Sequence, residues 1–274
     1  MSISLGSTSI SNIYLGSNTV TAAYLGATQV FGGGGVTLPS GAVLVYDFSN
    51  TTSWPGSGRF VYDLSGNGFT GSLYDVVGSG SAGALNFLSS NARLECTSSV
   101  LNSYMTGRKT LYAGVQYQTG SISGNTGFAC TWGGTPDIGY AFFINAGANG
   151  GKSSVRHGVQ VYTAGGASPE GFYADPAAFT IATGSAAHTY AMMANVASGS
   201  SKIYNDNVNI GTLTGINTAK FFVYDGTPTT ANGMRFGNFV GSGQNFLGNL
   251  YKVVIYNRAL SDSELTTIED WFTQ

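Results

Sequence analysis

Apolar residues recur at every second position in several stretches of the chain. Leu111, Ala113, Val115 and Tyr117 fall on one face of an extended segment, as do Tyr251, Val253 and Ile255. That is the period of a half-buried antiparallel strand. Segments of strand composition span 43–48, 111–117, 140–145, 158–162, 189–195, 202–205, 221–224, 234–239 and 250–256, separated by clusters of Gly, Asn, Ser and Pro at turn spacing. Many short strands with no helical pattern between them predict an all-β, antiparallel two-sheet sandwich. The spacing changes only at the C-terminus. Ser261-Asp262-Ser263-Glu264 has the form of a capping box, and Leu265, Ile268 and Trp271 or Phe272 follow at helical intervals. A short amphipathic helix is expected there, lying on the sandwich.

A different regularity opens the chain. Leu-Gly recurs at Leu5-Gly6, Leu15-Gly16 and Leu25-Gly26, and an aliphatic residue stands four positions after each glycine, at Ile10, Val20 and Val30. Each ten-residue unit reads as two β-prone arms around a small polar stretch, a hairpin or a strand-bend-strand. A unit this short cannot bury its own apolar side, and three make only a thin sheet, so the array is expected to pack on other chains. The repeats end at Phe31, where Gly32 to Gly35 supply no side chain to pack. The expected organisation is a repeat module over 1–31, a Gly-rich linker over 32–38 and the sandwich over 39–274.

Composition narrows the function classes. Only 9% of the 274 residues are charged, with 11 basic and 13 acidic side chains giving a formal charge of −2. This balance offers no field to attract nucleic acid or an anionic membrane surface. No apolar run approaches the roughly 20 residues that cross a bilayer as a helix. Cys96 and Cys130 are too few for a disulfide framework and show no zinc spacing, and His157 and His188 each begin a strand-like run.

Two further motifs invite chemistry. Asp63-Leu64-Ser65-Gly66-Asn67-Gly68 places oxygen-bearing side chains at alternate positions, as in the first half of a calcium loop. Asp63, Ser65 and Asn67 are thus candidate Ca2+ ligands, although Tyr74 stands where the twelfth-position Glu belongs, and an Asx-type turn explains the same residues without metal. Gly78-Ser79-Gly80-Ser81-Ala82-Gly83 matches a dinucleotide fingerprint in letters, but the following ALNFLSS reads as a strand where that site needs a helix. No G-x-S-x-G or H-E-x-x-H occurs, and nothing places carboxylates such as Asp137 and Glu170 together for glycoside hydrolysis. The chain is expected to require no cofactor and to be no enzyme.

The segments LVYDFSN…RFVYDLSGNGFTGSL, 44–73, and GNLYKVVIYNRALSDSELTTIEDW, 248–271, resemble the first and last parts of laminin-G-like, concanavalin A-like lectin domains. The resemblance implies a jelly-roll sandwich that binds sugars or proteins, often with calcium. The leader resembles YLGSxxV-type repeats at the N-termini of bacteriophage tail and other virion proteins. Together they imply a virion structural protein. Residues 1–31 would join it to other virion proteins, as a homo-oligomer, trimeric in a fibre, with the lectin-like domain displayed toward host glycans. The alternative implied is a capsid or tail decoration protein that binds no sugar. For sugar contact the expected residues are Trp54 and Trp132 in Gly-rich loops, with Asp137 and Tyr140 behind the latter, because aromatic rings stack on sugar faces while polar neighbours bond hydroxyls.

Overall fold

A computed structural model describes the strands within 4–32 and residues 36–78, 83–89, 91–98, 100–101, 111–118, 125–131, 139–145, 156–162, 170–174, 185–195, 200–213, 234–237 and 246–274. For the strands before residue 33 and between 125 and 174 it describes the backbone alone. Strands are numbered in chain order. Three hairpins come first: β1 (Ser4–Leu5) with β2 (Thr8–Ser9), β3 (Ile13–Leu15) with β4 (Asn18–Val20), and β5 (Ala22–Leu25) with β6 (Thr28–Gly32). Each ten-residue unit is therefore one hairpin. Leu5 pairs with Thr8, Leu15 with Asn18 and Leu25 with Thr28, and the sequence places Gly-Ser, Gly-Ser and Gly-Ala between them. Two-residue hairpin links favour glycine, which accounts for the repeated Leu-Gly.

Among the described residues the rest of the chain forms two eight-stranded antiparallel sheets and a helix. The first sheet holds β7 (Ala42–Asp47), β10 (Val76–Gly78), β11 (Leu85–Phe87), β13 (Leu111–Gln118), β18 (His188–Asn195), β19 (Ser200–Asn205), β20 (Val208–Leu213) and β22 (Gly248–Tyr256). Its order is β10-β11-β22-β13-β18-β19-β20, with β7 also paired to β22. The second holds β8 (Phe60–Val61), β9 (Gly71–Tyr74), β12 (Arg93–Cys96), β14 (Asn125–Thr131), β15 (Gly139–Asn145), β16 (Arg156–Tyr162), β17 (Glu170–Ala174) and β21 (Met234–Phe236), in the order β17-β16-β15-β14-β21-β12-β9-β8. The antiparallel sandwich expected from the strand period is thus observed.

Two cores make three layers. Between the sheets, Leu44, Tyr46, Val115, Tyr117, Val253 and Ile255 of the first meet Leu73, Leu94, Cys96, Met234 and Phe236 of the second. On the far side of the first sheet, Val45, Tyr112, Met193, Val254 and Tyr256 meet Leu265, Ile268, Trp271 and Phe272 of the helix α1 (Asp262–Phe272). Strands buried on both faces read as continuous apolar runs rather than alternating ones, which is why 43–46 and 253–256 are unbroken. Tyr251 departs from the face assigned to it by spacing. The β13–β22 register shifts between Gln116 and Tyr117, Leu250 enters the core, and the Tyr251 hydroxyl instead donates to Gln118 Oε1 at 2.9 Å.

Val36 and Leu38, within the expected linker, pack against the helix-side core. Gly83, at the end of the fingerprint-like glycine run, leads into strand β11, not into a helix. Cys96 is a free thiol in the main core, and Cys130 is described by its backbone alone.

Helix α1 starts and ends as its sequence dictates. Ser261 caps it, accepting from the Glu264 amide at 3.3 Å, and Glu264 Oε2 accepts from the Ser261 amide at 2.9 Å. At the other end, buried Lys252 of β22 donates to the carbonyls of Trp271 at 2.6 Å and Phe272 at 3.3 Å, satisfying acceptors that a helix terminus leaves open. Arg258 grips both Glu264 oxygens, at 2.6 and 3.0 Å. Those bonds, with that from Ser261, hold the Glu264 carboxyl down at about 2. A carboxylate depressed in the fold stabilises above its unfolded value, about 4.3, and that contribution is lost as pH falls toward 2. Glu264→Gln is therefore expected to cost about 1 kcal/mol at neutral pH and progressively less as pH falls through about 2, seen as melting curves that converge with the parent's on acidification. A constant offset across that range would refute the assignment.

Candidate functional site

The loop residues expected to meet a sugar do not assemble among the described residues. Trp54 is 5% exposed in the main core, its ring against Gly78 so closely that a Cβ there would lie 2.0 Å from it. It offers no stacking surface. Trp132 and Asp137 lie outside the described residues, and Tyr140 is described only as a backbone position of β15 opposite Val161.

The calcium-like segment is a clasp that ties its loop to β7. Asp63 Oδ1 accepts from the amides of Val45 (3.0 Å) and Ser65 (2.9 Å), while Oδ2 accepts from the Ser65 hydroxyl (2.7 Å) and the Phe69 amide (3.2 Å). Asn67 donates to the Val43 carbonyl at 2.9 Å. With each carboxylate oxygen serving two donors and the Asn67 amide turned to a carbonyl, these residues do not fit a cation. The Asx-type alternative describes them.

A built arrangement appears instead on the outer face of the second sheet. In β12, Leu94 and Cys96 point into the core, so the pleat sends Arg93 and Glu95 outward. In β21, Met234 and Phe236 point in and Arg235 out; in β9, Leu73 points in and Ser72 and Tyr74 out. Register aligns them, since Arg93 pairs with Tyr74 and Glu95 with both Ser72 and Arg235. Phe60, on the edge strand β8, pairs with Ser72 and is 51% exposed.

Glu95 Oε1 accepts from Nε of Arg93 and Nε of Arg235, each at 2.6 Å. Each contact uses the Nε donor of its guanidinium. Arg93 Nη1 reaches the Asn91 carbonyl at 3.2 Å, whereas among the described residues no partner meets the Nη atoms of Arg235. The Arg93 guanidinium also lies 4.2 Å from the Tyr74 ring centre, and Arg59 lies 5.4 Å from the same ring. The side chains are 26% (Arg93), 14% (Glu95) and 29% (Arg235) exposed, so the group is held but reachable. Ion pairs this open contribute only about 0–1 kcal/mol to stability. Two of the six arginines of a chain with 9% charged residues meet at one carboxylate, and a third, Arg59, lies against the neighbouring Tyr74 ring, giving local excess positive charge. The signal was present in ARLEC and GMRFG as charge alternating with apolar residues, but the pairing of two strands 140 residues apart was not.

A second polar group joins β18 to the helix. The Thr189 hydroxyl meets both Glu269 oxygens at 2.9 Å, and Asp206 accepts from the Thr189 amide at 2.8 Å while lying 2.9 Å from His188 Nδ1. Burial pushes the Glu269 carboxyl upward. These groups are spent on one another and on holding α1 to the sheet.

No protein-family model and no curated protein sequence matches the chain. Solved structures do resemble its fold. A mutant of Trypanosoma rangeli sialidase displaying trans-sialidase activity aligns with a TM-score of 0.55 at 14% identity over 85% of this chain, which spans 33% of that protein's length. Domain 4 of AbnA, an extracellular arabinanase from Geobacillus stearothermophilus in complex with arabinotriose, aligns with a TM-score of 0.55 at 12% identity, covering 84% of this chain and 98% of that domain. The CBM40 of Ruminococcus gnavus IT-sialidase, bound to α2,3 sialyllactose, aligns with a TM-score of 0.50 at 16% identity, covering 68% and 96%. At these identities the likeness is one of fold.

Proposed function

We propose that the chain is a non-catalytic adhesion protein of a bacteriophage particle, whose sandwich is displayed to bind glycans on the host surface. The observation that carries the binding half is the outer-face group of Arg93, Glu95, Arg235 and Tyr74, polar donors fixed beside an aromatic ring on a rigid sheet. Two similar folds, the arabinanase domain and the CBM40, were solved with oligosaccharides bound, which supports a sugar as the ligand class.

The anchoring half rests on the hairpins. Each pairs only with itself among the described residues, and an isolated two-stranded hairpin is marginal in water with both edges open. Residues 1–31 therefore act as the attachment module, through Leu5-Gly6, Leu15-Gly16, Leu25-Gly26 and their flanking strands. They pack on other virion proteins and on copies of this chain, with three chains in a fibre. Many copies per particle would convert weak single sites into firm adhesion.

The test uses the full chain as it assembles, on a glycan array and on host cells, together with imaging of tagged protein on particles. Binding to host glycans and a position at the particle surface are expected. If multivalent protein binds no glycan and its removal destabilises the particle, the chain is a decoration protein and the adhesion reading fails.

A further inference from the structure

The two oligosaccharide-bound folds differ in the charge of their ligands. Arabinotriose is neutral, whereas sialyllactose carries a carboxylate. The residues of this chain favour one side of that division. Resting on the adhesion reading above, we infer that the outer face of the second sheet selects acidic glycans, gripping a sugar carboxylate between Arg93 and Arg235 while Tyr74 and Phe60 flank the ring.

The chemistry follows from how the guanidinium groups are held. A guanidinium presents five N–H donors in a planar fork that matches the two oxygens of a carboxylate. Glu95 occupies the Nε donor of each arginine at 2.6 Å, so both forks are locked before a ligand arrives and little side-chain entropy remains to be lost. The Nη atoms of Arg235 have no partner among the described residues. Stacking at 4.2 Å on Tyr74 fixes the plane of Arg93. Two guanidinium groups around one carboxylate, with Arg59 against the same tyrosine, leave a positive excess that attracts an anionic ligand.

Neutral sugars leave this arrangement unused. A carbohydrate hydroxyl would pair with the arginines one bond at a time, without the bidentate geometry. Phe60, exposed on the edge strand directly opposite Ser72, supplies an apolar wall suited to the carbon face of a sugar ring.

The experiment titrates the full chain against sialyllactose, trigalacturonate, lactose, arabinotriose and a glycerol-phosphate polymer, with Arg235→Ala and Arg235→Lys beside the parent. Binding of sialyllactose, of trigalacturonate or of both is expected, the first marking a terminal acidic sugar and the second a chain of uronic acids. Lactose and arabinotriose should bind at least tenfold more weakly. Arg235→Ala should lose roughly ten- to a hundredfold in affinity with an unchanged melting curve, because a hydrogen bond to a charged group is lost. Arg235→Lys should fall between, keeping charge without the fork, and rising salt should weaken the parent's binding. Equal affinity for neutral and acidic probes, indifference to Arg235→Ala, or preference for the phosphate polymer overturns the ligand class while leaving glycan adhesion standing. Failure to bind any sugar removes both.

Discussion

Truncating Phe272 to alanine is expected to destabilise the protein by about 3–5 kcal/mol, the range for deleting a buried phenyl group. The ring is fully buried on the helix side of the first sheet, with Val254, Tyr256 and Tyr112 in the same core. It sits over Gly114 of β13, where a Cβ would come within 3.1 Å of the ring, so strand and helix are fitted to each other. Trp271 leans on it at 5.2 Å between centroids. Removing the ring opens a cavity beneath the last turn, at the carbonyls that Lys252 binds. An 11-residue helix has little stability apart from such packing. Urea unfolding of parent and variant gives the comparison, and a loss under 1 kcal/mol would mean that α1 contributes little to the sandwich.

Gly248→Ala is expected to cost about 3 kcal/mol or more. This residue opens β22 with a φ of +152°, and an added Cβ would stand 2.2 Å from the carbonyl oxygen of Gln118. The obstacle is backbone of the neighbouring strand, so no side-chain rotation relieves it, and conformational strain adds to the overlap. Gly66→Ala separates the two effects. Its φ of +89° carries the same kind of strain in open space, and a loss of only about 1 kcal/mol is expected. For a domain of this size 3 kcal/mol lowers the melting temperature by roughly 6–12 °C. Equal shifts for the two variants would show that the clash at Gly248 is absorbed.

Strand period carried most of the fold. The alternation at Ala113, Val115 and Tyr117 reports the main core, and the capping box reports the start of α1, because both depend on neighbours close in sequence. Tyr251 escaped this reading because a register shift is set by two strands together. The site was less legible. Trp54 suggested an exposed stacking ring because glycine and proline surround it, yet the space it fills is made by Gly78. The Arg93–Glu95–Arg235 group depends on β12 and β21 being neighbours, a fact of topology that no local pattern carries.

Strand β22 joins segments drawn from across the chain: one edge pairs with β13, the other with β11 and then β7. Until it is in place the first sheet is three pieces, β7, β10–β11 and β13-β18-β19-β20, each with an open edge. On the ribosome some 250 residues must therefore emerge before the sandwich can close, and partly made chains expose strands suited to pairing with one another. Contacts of such long sequence separation fold slowly and favour aggregation at high concentration. Abundant synthesis of this protein then depends on holding nascent chains apart, a demand imposed by one late strand rather than by the finished fold.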